Sequence, residues 1–219
     1  MSDSDLLVLR DVGHGFGRGP VFQDVGFNLY PGQVLLLVGP NAAGKSTLLK
    51  IAAGIIRPEM GIVERKKGIR LGYLAHESFI YPGLSALENL KFWAGFHGEK
   101  HDEREILQVL ERVGLERSAW EQAGSFSRGM SQRLSLARIL LLSPGVLLLD
   151  EPGSGLDADS KQILLREISR ARERGAGIVW VSHDFRTDAH RADRILALNN
   201  GRQDFLGTPA DFFQEPGHV

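Results

Sequence analysis

Gly39-Pro40-Asn41-Ala42-Ala43-Gly44-Lys45-Ser46 stands directly after the apolar run Val34 to Val38 and directly before a segment of helical period, Ser46 to Ala53. The stretch fits G-x-x-x-x-G-K-[ST] in its strand–loop–helix setting, the pattern of a loop that cradles phosphates. Small residues let successive backbone N–H groups turn inward as an anion nest, and the following helix aims its positive end at the same place. Lys45 adds a point charge for β- and γ-phosphates, Ser46 offers a hydroxyl to Mg²⁺, and Thr47 continues the phosphate-facing turn. Ala42 sits where such loops often carry Gly, so that position is expected to adopt a conformation that tolerates a Cβ.

Two further short apolar runs, Val146 to Leu149 and Ile178 to Val181, are bounded by turn residues and read as strands buried on both faces of a parallel sheet. Helical period marks Ser131 to Leu142 and Ser160 to Arg174, the latter with Ile163, Leu164, Ile168 and Ala171 on one side. Strand alternating with helix predicts an α/β core. Residues 5–30, ending at Tyr30-Pro31-Gly32, alternate strand-like pieces with Gly-rich turns and predict a small antiparallel sheet beside the core. Residues 83 to about 126 read as an inserted helical lobe. Ser85 and Glu88 form a capping box for a helix through Phe96, and a second helix runs from about Asp102 to Val113. Asn199-Asn200-Gly201 is a hairpin signal, and Thr208-Pro209 with Asp211 starts a short last helix. There is no internal repeat and no low-complexity segment, and residues 1–219 are expected to form one domain with lobes.

The 219 residues carry 26 Lys+Arg against 27 Asp+Glu, a formal charge of −1, which disfavours unaided binding to nucleic acid. Without cysteine, a disulfide framework, a thiolate metal site and a Cys nucleophile are all excluded. Met1-Ser2-Asp3-Ser4-Asp5 has neither the basic nor the apolar part of a secretory signal, so the chain is expected to stay in the compartment where it is made. No apolar run approaches the roughly 18 residues of a membrane-spanning helix, and membrane contact is expected only through a partner.

At the end of the strand Val146 to Leu149, Asp150 and Glu151 form a Walker B pattern on the sheet edge where α/β proteins bind ligands. Asp150 would hold Mg²⁺ while Glu151 polarises a water for attack on the γ-phosphorus; the bland alternative is an acidic strand end that merely meets solvent. Phe16, between Gly15 and Gly17, suits base stacking or plain core packing, and His183 after the third strand is either a catalytic or a satisfied structural histidine.

Ser127-Arg128-Gly129-Met130-Ser131-Gln132-Arg133, lying between the phosphate loop and Asp150, resembles the ABC signature motif. Phe126, Arg128 and Met130 replace its Leu, first Gly and Gln. Ser154-Gly155-Leu156-Asp157 resembles the D-loop, His183 the switch histidine, and Phe16 the adenine-stacking aromatic. From about residue 6 to 207 the chain is similar to ATP-binding subunits of ABC transporters. The resemblance implies a P-loop NTPase core of RecA-like type, an antiparallel β-subdomain at about 5–30 and a helical subdomain at about 83–142 bearing the signature.

It also implies an ATP- and Mg²⁺-dependent ATPase forming a head-to-tail dimer. There the phosphate loop, Asp150, Glu151 and His183 of one copy face Ser127 and Gly129 of the other, and Asp157 of the D-loop is also implied at the nucleotide. Integral membrane permease subunits complete such a transporter, and the ATPase sits in the cytoplasm, peripheral on the inner face of the cell membrane. His76 takes the place of the Q-loop glutamine, which senses Mg²⁺; it either keeps that role in altered form or is a plain turn histidine. Arg128 either reaches the opposed nucleotide or points to solvent. Together with His76, Ala86-Leu87-Glu88-Asn89-Leu90-Lys91-Phe92 resembles the haem-exporter ATP-binding subunits of bacterial cytochrome c maturation. Other small ABC exporters, a soluble ABC ATPase and a P-loop kinase are the alternatives. The first shares the mechanism, while the last two lack a counterpart for the signature or for the short single-domain chain.

Overall fold

The computed structural model describes residues 4–17, 19–75, 77–182 and 184–214. The chain divides into two units, one built from Met1–Tyr73, Gly145–Glu151 and Arg172–Val219, the other from Leu74–Pro144 and Pro152–Ala171.

The first unit is organised around a sheet. β1 (Leu7–Phe16), β2 (Gly19–Leu29), β3 (Val34–Val38), β4 (Met60–Arg65), β5 (Leu71–Leu74), β6 (Val146–Asp150), β7 (Gly177–Val181), β8 (Arg194–Asn199) and β9 (Arg202–Gly207) lie in the order β4-β1-β2-β9-β8-β3-β7-β6-β5. All five residues of β3, of β6 and of β7 are buried, as the three uninterrupted apolar runs require. β3 pairs in parallel with both β7 and β8, and β6 with β7. The predicted α/β core is borne out. Helix α1 (Lys45–Ala53) follows β3 and presses Leu48, Leu49 and Ile51 into the core. Asn200 and Gly201 take left-handed φ of 47° and 72° between antiparallel β8 and β9, as the Asn-Asn-Gly signal predicts. The last helix, Pro209–Gln214, begins where Thr208 and Asp211 bond to each other, Oγ1 to Oδ2 at 2.7 Å.

The strands of residues 5–30 are longer than a small separate sheet needs. β1 and β2 form an antiparallel pair, β4 adds to β1, and a bridge between Gln23 and Arg202 connects them to β9, so they continue the core sheet.

The second unit holds α2 (Ala86–Phe96), α3 (Glu103–Arg112), α4 (Arg128–Leu141) and α5 (Ala158–Glu173), the last running on to its end in the first unit's third segment. The predicted capping box of Ser85 and Glu88 forms, and Asp102 with Glu105 forms a second at the start of α3. Glu88 N donates to Ser85 Oγ at 3.2 Å and Ser85 N to Glu88 Oε2 at 2.8 Å, while Glu105 N donates to Asp102 Oδ1 at 2.8 Å. Asn89, buried one turn into α2, donates to the carbonyls of Tyr81, Leu84 and Ser85 and so pins the loop that leads into the helix. Helix α4 starts at Arg128, three residues before the predicted Ser131. Ser127 caps it, its hydroxyl accepting from Met130 N at 3.2 Å, and this cap lets the polar turn before the apolar period wind as helix.

Among the described residues no helix is long and apolar enough to cross a membrane.

Candidate functional site

β3 runs straight into the phosphate loop. Gly39 has φ of 144°, and a Cβ there would lie 2.2 Å from the Leu198 carbonyl oxygen, so the loop can pass this close to β8 only as glycine. Ala42 departs from expectation: its φ of 66° is left-handed, where a Cβ costs about 1–2 kcal/mol. The turn on either side holds it there, through Ala43 N donating to Pro40 O at 3.2 Å and through Lys45. Lys45 Nζ donates to Gly39 O at 2.7 Å and to Pro40 O at 2.8 Å, drawing the loop around its ammonium. The residue is only 6% exposed, and burial lowers its pKa against the opposing pull of Glu151 and Asp150.

One residue on, Ser46 Oγ donates to Asp150 Oδ1 at 3.0 Å, joining the first turn of α1 to the end of β6. Asp150 is buried. Desolvation pushes its pKa up, the Ser46 hydrogen bond opposes this, and the neighbouring Glu151 charge adds to the rise. A hydroxyl and a carboxylate side by side at a phosphate loop suit a hard divalent cation, whose other ligands would be phosphate oxygens and water. Glu151 turns away from Asp150 because its own φ is 52°, left-handed, and its N–H donates to Val181 O at 3.1 Å. Its side chain therefore lines a cavity of about 500 Å³ with Phe16, Val21, Asn41, Ala42, Gly44, Lys45, Ser46 and Thr47. Phe16, 58% exposed, presents its ring there with His14 packed edge-on at 4.9 Å. Core packing does not explain so exposed an aromatic. Ala43 is buried, while Gly39 and Pro40 line a different cavity with Leu198 and Phe185.

The signature-like residues gather separately, in the second unit. Gly129 is buried, and a Cβ there would meet Ser160 Oγ at 2.9 Å and Asp157 Oδ2 at 3.2 Å. Asp157 accepts from Ser160 N at 2.8 Å, a bond that keeps its carboxyl below the usual range and starts α5. Arg128 is exposed, yet its guanidinium lies against Gly155, where an added Cβ would come within 2.7 Å of Nη1. Arg128 thus stays exposed while its guanidinium packs on the turn before α5. Gly129 meets Asp157 and Ser160 at the start of α5, with Arg128 folded onto Gly155.

His76 and His183 lie outside the described residues. Sequence reasoning misses Tyr73, whose hydroxyl donates to Asp150 Oδ2 at 3.4 Å. It also misses Glu167, completely buried among three arginines. The one signal for Glu167 in the sequence is a charged residue on the apolar side of α5, three residues after Leu164 and four before Ala171.

Residues 22–154 match the family described as ABC transporter. The chain is similar to the zinc import ATP-binding protein ZnuC of Hydrogenovibrio crunogenus, 33% identical over 98% of this chain and 88% of the relative. It is 36% identical to the same-named protein of Pseudomonas fluorescens over 89% of this chain and 74% of that one. The linearmycin resistance ATP-binding protein LnrL of Bacillus subtilis is 29% identical over 97% of this chain and 72% of its own length. A solved structure described as an ATP-binding subunit of an ABC transporter superposes with a TM-score of 0.88 at 29% identity, over 97% of this chain and 94% of that one.

Proposed function

The chain belongs to the ABC transporter family as an ATP-binding subunit, an ATPase coupled to transport, and from that premise we propose how its residues divide the work and which transporter it drives. The observation that carries the proposal is the single cavity into which Lys45, Ser46 and Glu151 open, with Asp150 bonded to Ser46. Phe16 stacks on the adenine. The N–H groups of the loop and the N-terminus of α1 take the β- and γ-phosphates, and Lys45 exchanges its two carbonyl partners for phosphate oxygens. Ser46 and Asp150 hold the Mg²⁺, whose charge offsets that of the β- and γ-phosphate oxygens. Glu151 accepts a proton from the attacking water as the water oxygen bonds to the γ-phosphorus and the bond from that phosphorus to the bridging oxygen of the β-phosphate breaks, releasing ADP, and the family resemblance assigns His183 to the γ-phosphate. Lys45→Ala is expected to weaken binding of a fluorescent ATP analogue at least about tenfold, the scale of a single charge-assisted hydrogen bond to phosphate.

In a head-to-tail dimer, Ser127, Arg128, Gly129 and Asp157 of one copy serve the other copy's nucleotide. ATP then closes the pair and hydrolysis opens it. ABC ATP-binding subunits work with membrane permease components, and the proposed location is the cytoplasmic face of the membrane, held there by the permease. A net charge of −1 supports a partner that is not nucleic acid.

The cargo proposed is haem, in the export step of cytochrome c maturation. It is supported by Ala86 to Phe92 and by His76 in the place of the coupling glutamine, where an imidazole can still donate, accept or bind the cation. The names of the similar proteins, zinc import and linearmycin resistance, favour as second reading another small permease with the same motor. Tagged Glu151→Gln, trapped with ATP in native membranes and gently solubilised, is expected to bring down small polytopic cytochrome c maturation subunits by mass spectrometry. A different permease would keep the mechanism and replace the cargo. Recovery of soluble partners alone would overturn the coupling to a permease.

A further inference from the structure

Asp150 has two carboxylate oxygens, and the structure accounts for both. Oδ1 accepts from Ser46 Oγ at 3.0 Å, and Oδ2 accepts a longer bond, 3.4 Å, from the Tyr73 hydroxyl. Asp150 is 4% exposed, so rotation of its carboxylate would strand an oxygen away from any donor. Tyr73 is suited to prevent that rotation. Its ring packs against the hydrophobic core from β5, the strand beside β6, and only two side-chain torsions stand between that anchored ring and its backbone. The hydroxyl therefore has little freedom of its own.

We propose that Tyr73 is a positioning residue for the cation site: by holding Oδ2, it turns Oδ1 of Asp150 toward the Ser46 hydroxyl and fixes the pair in the orientation that takes Mg²⁺. The proposal rests on the assignment of Ser46 and Asp150 as cation ligands given above. Hydrogen-bond partners behind a ligand commonly set metal affinity by ten- to a hundredfold, and the length of this bond places Tyr73 at the lower end. Tyr73 is also the last residue of the first unit before the chain passes into the second at Leu74. The grip on Asp150 thus belongs to the strand through which the core is left, three residues before His76.

The test is binding of a fluorescent ATP analogue to the full chain, titrated with Mg²⁺ and repeated in EDTA, for the unsubstituted protein and for Tyr73→Phe, which keeps the ring and removes the hydroxyl. The Mg²⁺ concentration at half-effect is expected to rise about tenfold, with affinity in EDTA unchanged within about twofold and the thermal midpoint of the free protein preserved. Titration with Mn²⁺ followed by electron paramagnetic resonance should show the same weakening. Superimposable Mg²⁺ curves would overturn the proposal, as would an equal loss of affinity with and without the metal, which marks a general packing defect. Nucleotide binding by the unsubstituted protein that ignores Mg²⁺ would instead remove the assignment of Ser46 and Asp150, and this inference with it.

Discussion

Glu151→Gln is expected to bind ATP as the unsubstituted protein does and to hydrolyse it about 10²- to 10⁴-fold more slowly, the range a positioned general base supplies. The amide retains the shape of the side chain and is compatible with the left-handed φ of 52° that turns this residue into the cavity. What it loses is the ability to take a proton from water while the bond to phosphorus forms. Lys45, Ser46 and Asp150 are untouched, so binding of a fluorescent nucleotide should stay within about twofold, and ATP-dependent association of two chains, read by light scattering, should persist longer. Steady-state phosphate release decides the matter. A rate within a factor of about three of normal would show that the proton goes elsewhere.

A comparably large effect on stability is expected at Glu167. Its carboxylate is fully buried; Oε2 accepts from Arg112 Nε at 3.0 Å and Nη2 at 2.5 Å, while Oε1 accepts from Arg170 Nη1 at 2.7 Å with Arg166 Nε at 3.6 Å. Arg166 also donates to the carbonyl of Arg112 at 2.7 Å, so the cluster ties the last turn of α3 to the middle of α5. Glu167→Gln leaves three guanidinium groups around a neutral amide whose NH₂ has nothing to accept it. Breaking a buried pair from one side costs about 3–5 kcal/mol, and the partial exposure of the three arginines puts this case near the lower figure. For a chain of this size that corresponds to a fall in thermal midpoint of about 6–12 °C by calorimetry. A shift under about 2 °C would show that the arginines find water at no cost.

Glu167 also shows why some of the structure is hard to read from sequence. Helical period identifies the buried face of α5 through Leu164, Ile168 and Ala171, but a glutamate on that face is explained only by arginines 55 positions earlier and one turn later. Tyr73 and Asp150, 77 positions apart, escape for the same reason. Strands β3, β6 and β7 are legible because parallel strands buried on both faces are uninterrupted apolar runs. Strand β4, Met60 to Arg65, lies mostly exposed beside β1 and carries no such run, while β5 is four residues long. The cavity is legible where chain neighbours supply it, from Asn41 to Thr47 and at Glu151. The left-handed Ala42 is not, because its conformation is imposed by bonds around it rather than preferred by its own side chain.

The pairing of β3 has a consequence for how the molecule is made. This strand leads into the phosphate loop, yet its two neighbours, β7 and β8, lie more than a hundred residues further along, with Val34 against Ile178 and Leu35 against Arg194. A chain emerging from the ribosome therefore exposes an apolar strand and an unsupported loop throughout most of its synthesis. The continuous stretch Leu74–Pro144, with both capping boxes in place, can gain helix in the meantime, while Arg112 still waits for Glu167 on α5. Nucleotide capture is then a late event in biogenesis: premature termination before β8 yields a polypeptide that holds the whole phosphate-loop sequence and lacks the strand its first glycine packs against.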